Sequence, residues 1–95
     1  MILGFRHKGL RPCYEKGDSS KLQPHHTGKI RLILTRLDAA TGPEMMNEPG
    51  YRLHGLHGLS GGSEGHWSVR VDKNYRITFR FDGENADDVD YADYH

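Results

Sequence analysis

Residues 67–81 read Trp67-Ser68-Val69-Arg70-Val71-Asp72-Lys73-Asn74-Tyr75-Arg76-Ile77-Thr78-Phe79-Arg80-Phe81. Apolar and polar side chains alternate, which is the period of a strand with one buried face. Trp67, Val69 and Val71 share a face of one strand, and Tyr75, Ile77, Phe79 and Phe81 share a face of the next. Asp72-Lys73-Asn74 separates them. Short polar side chains of this kind bond the local backbone and favour tight turns. Two antiparallel strands follow from this pattern. Downstream, Asp82-Gly83-Glu84-Asn85 supplies another turn, and residues 87–91 predict a last strand with Val89 and Tyr91 on one face.

Upstream the period becomes helical. Ile30, Ile33, Leu34, Leu37 and Ala40 fall on one face of a helix, with Lys29, Arg31, Thr35, Arg36 and Asp38 largely on the rest. Pro24 suits the first turn of this helix, and Gly42-Pro43 ends it. Residues 8–16 predict a shorter helix that stops at Gly17 and must begin late or bend at Pro12. Ile2-Leu3-Gly4-Phe5 reads as a first strand and Tyr51-Arg52-Leu53-His54 as another, followed by a glycine-rich loop to Gly65. The expected class is α+β: an N-terminal strand and two helices packed on a twisted, mainly antiparallel sheet.

Bulk properties narrow the function classes. Ninety-five residues predict a single domain, 1–95. The chain is 35% hydrophobic and 27% charged, too apolar and too balanced for a disordered tail. No apolar run approaches a membrane span, and residues 1–8 lack the pattern of a secretory signal. The lone Cys13 excludes an internal disulfide and fits a reducing compartment, so a cytoplasmic protein is expected. Net charge is zero but divided. Residues 1–37 carry eight Lys/Arg against two Asp/Glu, and residues 38–95 carry five against eleven. A basic half can meet phosphates; it serves equally as a solvated helix face.

Seven histidines are many for this length. His54 opens the glycine loop, His57 lies within it, and His95 follows Asp93 and Tyr94 at the chain end. His25-His26 reads as surface, and His7 and His66 have no obvious partner. Arg76 alternates away from the apolar face, and Arg70 and Arg80 share its side. An arginine-bearing face bordered by histidines suits a phosphodiester. Guanidinium binds phosphate through a planar fork, and imidazole moves protons near neutral pH. RNA carries its own nucleophile: a base takes the 2′-hydroxyl proton, the alkoxide attacks phosphorus, and an acid protonates the leaving oxygen. Such chemistry requires no metal or cofactor. Plainer readings stand beside it. The arginines can solvate an exposed sheet face, and Asp93-Tyr94-His95 can be a frayed end. His54-Gly55-Leu56-His57 has the spacing of a metal pair but lacks further ligands nearby.

Several strings together go further. They are Phe5-Arg6-His7-Lys8-Gly9-Leu10, Leu37-Asp38-Ala39-Ala40-Thr41, Tyr51-Arg52-Leu53-His54, His66-Trp67-Ser68-Val69, Asn74-Tyr75-Arg76-Ile77-Thr78-Phe79 and the terminal Asp93-Tyr94-His95. In this order, over nearly the whole chain, they resemble HigB-type toxins of the RelE/ParE superfamily. The resemblance implies a RelE-like fold and a ribosome-dependent endoribonuclease that cuts mRNA in the A site, without a cofactor. It also implies a helix-turn-helix antitoxin of the HigA type as partner, and no membrane. By matching motifs, the catalytic set implied is His54, Arg76, Asp93, Tyr94 and His95, with His57, Asn74, Arg70 and Arg80 against the RNA. Arg76 would stabilise the charge on phosphorus, and His54 and His95 would be acid and base. Asp93 would orient a histidine and Tyr94 would position the RNA. The chain departs from relatives in carrying His57 where lysine is frequent and Gly55 where proline is. Its loop over residues 59–64 is longer, and Asp82, Glu84, Asp87, Asp88, Asp90 and Asp93 make an acidic C-terminal region. Two alternatives are a catalytically weakened relative that mainly binds its antitoxin, and a metal protein using His54, His57 and His95.

Overall fold

In the computed structural model, which describes residues 1–56 and 65–93, the alternating stretch forms the two central strands of a sheet. The strands are β1 (His54–Leu56), β2 (His66–Arg70), β3 (Tyr75–Asp82) and β4 (Asn85–Asp93). They lie in the order β1-β2-β3-β4, each antiparallel to its neighbours. Register places Trp67 opposite Phe79 and Val69 opposite Ile77. Side chains opposite one another share a face, so the apolar set stays together. Val69, Ile77, Phe79 and Val89 are fully buried, with Leu10, Ile30, Ile33 and Leu37 of the helices in the same core cluster.

The helices are α1 (Leu10–Lys16) and α2 (Thr27–Ala39). Starting α1 at Leu10 leaves Pro12 in the first turn, where amides have no intrahelical acceptor and the missing N–H costs nothing. Gly17 ends it in the left-handed region (φ 71°), its N–H donating to the Cys13 carbonyl at 3.1 Å. Nothing lies within 4 Å of a Cβ built on Gly17, so Gly17→Ala tests backbone strain alone. A loss of about 1–2 kcal/mol is expected, read as a melting temperature lower by roughly 4–8 °C or more. Pro24 opens a 3-10 turn, Pro24–His26, that runs directly into α2.

Three elements differ from the sequence expectation. The N-terminal segment is not a continuous strand. It makes two parallel bridges to β4, Ile2 with Ala86 and Phe5 with Val89. Four backbone hydrogen bonds of 2.7–3.1 Å hold it there. β4 itself carries a bulge between the two bridges: its register with β3 shifts between Thr78 and Arg80, and Asp88 adopts φ 55°. The segment still covers the outer edge of β4, which would otherwise present unpaired backbone groups. The short strand expected over Tyr51–His54 instead begins at His54, because Arg52 turns into the left-handed region (φ 49°). Tyr51 keeps one link to the sheet, its carbonyl accepting the Arg70 N–H at 2.6 Å. The last strand extends to Asn85 and Asp93, beyond the expected residues 87–91. Among the described residues, no helix is long and apolar enough to cross a membrane.

Candidate active site

The face of the sheet turned away from the helices follows directly from register. His54 stands opposite Ser68, Ser68 opposite Thr78, and Arg70 opposite Arg76. These five residues therefore share a face. Ser68 and Thr78 are buried, Arg70 and Arg76 half-buried, and His54 exposed. Arg76 Nη1 donates to Ser68 Oγ at 3.0 Å, which fixes one arm of the guanidinium. Like charges directly opposite on neighbouring strands repel. Among the described residues neither Arg70 nor Arg76 forms an ion pair with a carboxylate. Asp90, opposite Thr78 on β4, instead accepts the Tyr91 N–H at 2.9 Å. Two opposed guanidiniums with no paired carboxylate among the described residues make a site for an anion, and His54 lies one row away.

The other sequence candidates are placed differently. Arg80 shares the face but is paired with Asp87 at 2.8 Å, so its charge is already offset. Asn74 lies in the turn between β2 and β3, its N–H bonded to Asp72 Oδ1 at 2.8 Å. Asp93 stands opposite Tyr75 at the end of β4. It therefore starts on the helix side of the sheet, not in the row of Arg76, which faces Ala92. His57, Tyr94 and His95 lie outside the described residues. Sequence reading missed Ser68 and Thr78, although both alternate with core residues and so belong to the Arg76 side. What the alternation lacks is any sign that they are buried.

Three histidines have partners that the sequence did not reveal. His66 Nε2 lies 2.8 Å from Asp88 Oδ2, and Arg6 Nη2 reaches the same oxygen at 2.8 Å. The hydrogen bond from His66, with Arg6 beside it, holds the Asp88 carboxyl below its ordinary range. Asp88 is itself the left-handed residue of the bulge. His7 Nδ1 accepts the Gly9 N–H at 2.9 Å. His26, expected at the surface, is only 3% exposed. Its Nδ1 lies 2.6 Å from Tyr91 Oη and its Nε2 2.6 Å from Asp72 Oδ2. His25, His26 and Asp72 offer the one group of ligand-type atoms among the described residues within 4.8 Å of one another.

Asp72 accepts the Asn74 and Tyr75 amides and then the His26 ring, and these bonds lower its carboxyl from 3.8 to about 2. A lowered folded-state value means that folding favours the ionised form. That contribution is complete above about 3.8 and disappears as pH falls toward about 2. Asp88 acts in the same sense. Thermal melts across this acid range are expected to fall with pH, and the fall should be shallower in Asp72→Asn. An equal slope in both proteins would contradict the assignment.

A cavity of about 430 Å³ lies in the helical layer, between Cys13, Tyr14, Arg31, Leu34, Thr35 and Asp38. It is on the other side of the core from the arginine face.

A four-stranded antiparallel sheet with two helices on one face and basic residues on the other is the layout of a RelE-like toxin. The family model described as "RelE-like toxin of type II toxin-antitoxin system HigB" matches residues 3–95, and the chain belongs to that family. It is 40% identical over 95 residues, the full length of both chains, to Endoribonuclease HigB of Proteus vulgaris. Membership of a type II system makes a protein antitoxin its partner.

Proposed function

We propose that this chain is an endoribonuclease toxin that cuts mRNA held in the ribosomal A site, with residues 1–95 acting as one cytoplasmic domain. The observation that carries this reading is the Arg70–Arg76 pair, opposed across β2 and β3 with His54 beside it. The name of the Proteus vulgaris relative supports the RNA substrate. The scissile phosphate rests on the two guanidiniums, and Arg76 meets the charge that grows on its oxygens as the 2′-alkoxide attacks. Its bond to Ser68 fixes the fork before substrate arrives, so little reorganisation is needed at the moment of reaction. His54 and His95 exchange the two protons, one taking that of the 2′-hydroxyl and the other delivering one to the leaving 5′-oxygen. Asp93 orients a histidine, and Tyr94, Asn74 and His57 position the RNA. The antitoxin is a helix-turn-helix protein of the HigA type.

The nucleophile supplies a clean test. An mRNA carrying a single 2′-deoxynucleotide 5′ to the scissile phosphate should resist cleavage there, while neighbouring sites remain competent. Cleavage at the deoxy position at the normal rate would exclude attack by the 2′-hydroxyl.

A further inference from the structure

The Asp72–His26–Tyr91 network lies outside the arginine face, and nothing in the proposed chemistry uses it. Its parts are far apart in sequence and converge on one imidazole that is almost wholly buried. Asp72 belongs to the turn that carries Asn74 and leads to Arg76 in β3. Tyr91 lies two residues before Asp93, where β4 leads into the terminal Asp93-Tyr94-His95. We propose that His26 is a positioning residue that clamps the β2–β3 turn to the end of β4, and so sets Asn74 and Arg76 relative to Asp93. The proposal rests on the nuclease reading for its functional consequence.

Every polar atom along the path is engaged. Asp72 Oδ1 accepts the Asn74 and Tyr75 amides, both at 2.8 Å, and Oδ2 lies 2.6 Å from His26 Nε2. An ionised carboxylate only accepts, so Nε2 carries the proton. In the neutral ring Nδ1 then accepts from the Tyr91 hydroxyl at 2.6 Å. One tautomer therefore satisfies both sides. Gln23 Nε2 donates to Tyr75 Oη at 2.6 Å, and the Tyr75 and Tyr91 rings stack with centroids 5.1 Å apart. His7 packs edge-on to Tyr91 at 5.4 Å. An apolar residue would fill the position of His26 without desolvating an imidazole. What it would not do is fix the turn and β4 by directional bonds, since a buried network specifies a geometry only when all its members are satisfied.

His26 itself is a poor first target, because its loss strands two buried partners. Tyr91→Phe removes one hydroxyl and keeps the ring stack. Asp72→Asn keeps an oxygen for the two amides and removes the ionised acceptor. Both should melt cooperatively. With excess protein acting on programmed ribosomes, each is expected to lower the maximal cleavage rate roughly 10- to 100-fold, while half-saturation changes no more than about twofold. A purely structural role would lower the melting temperature and leave the maximal rate of the folded protein alone. Wild-type rates in both folded variants would overturn the clamp.

A second measurement does not depend on cleavage. In ¹H–¹⁵N spectra, Tyr91→Phe, which keeps the Tyr75–Tyr91 ring stack, should shift the Asn74 amide through the bonds of His26 and Asp72. An unmoved Asn74 resonance would overturn the clamp even with an active enzyme. A shifted Asn74 in Tyr91→Phe, together with wild-type protein that never cuts mRNA, would leave the clamp standing and remove the nuclease reading. A rise in melting temperature with Zn²⁺ that disappears in His25→Ala would assign the cluster to metal binding and overturn it as well.

Discussion

Arg76→Ala is expected to lower the rate of mRNA cleavage by about 100- to 1,000-fold, the loss typical of removing one pre-placed transition-state donor. The half-buried guanidinium faces Arg70 across the strands, and no carboxylate among the described residues neutralises it. Its charge is therefore available to a phosphate. Arg76→Lys should recover only part of the rate, since an ammonium keeps the charge and loses the fork. Arg80→Ala should have a much smaller effect, because Asp87 at 2.8 Å already offsets Arg80. The effects are measured as single-turnover rates on programmed ribosomes, with circular dichroism confirming the fold. Equal losses at Arg76 and Arg80 would mean that the whole face acts as a diffuse electrostatic surface.

Phe79→Ala is expected to cost about 3–5 kcal/mol of stability. Phe79 is fully buried in β3, stands opposite Trp67 and meets Phe81 edge to face at 6.0 Å. It also faces the bulge in β4, where the register with Arg80 shifts. Collapse of the surroundings into the cavity would have to move that irregular backbone. A small domain has roughly 5–15 kcal/mol in total, so the variant should be close to unfolding at 37 °C. Urea denaturation measures the effect through the transition midpoint. A loss under about 1 kcal/mol would show that the sheet and helices repack freely around the vacancy.

How far the sequence could be read depended on whether neighbours in the chain were also neighbours in space. The Trp67–Phe81 alternation determines its own buried face, so β2, β3 and the side carrying Arg70 and Arg76 could be read directly. The α2 core positions Ile30, Ile33, Leu34 and Leu37 were equally clear, and all are buried. Irregularities were not. The bulge at Asp88 depends on pairing with two different segments, one of them from the other end of the chain. It carries Asp88, the partner of His66. His26 was hidden for the same reason: its partners are 46 and 65 residues away. One sign was available, a tyrosine at position 91 on the face that carries the core residues Val89 and Ile77. A hydroxyl buried there needs a partner.

The RelE-like toxin family explains why an arginine face should matter, and we propose that this face and the terminal histidine cut mRNA on the ribosome. The direct measurement maps cut sites in a cell-free bacterial translation reaction, using wild-type protein and His95→Ala. Both are treated with EDTA and returned to normal magnesium before use. Translation-dependent cuts by the wild type that disappear in His95→Ala are the expected result. Full cleavage by His95→Ala, or no cleavage by folded wild-type protein, would contradict the account.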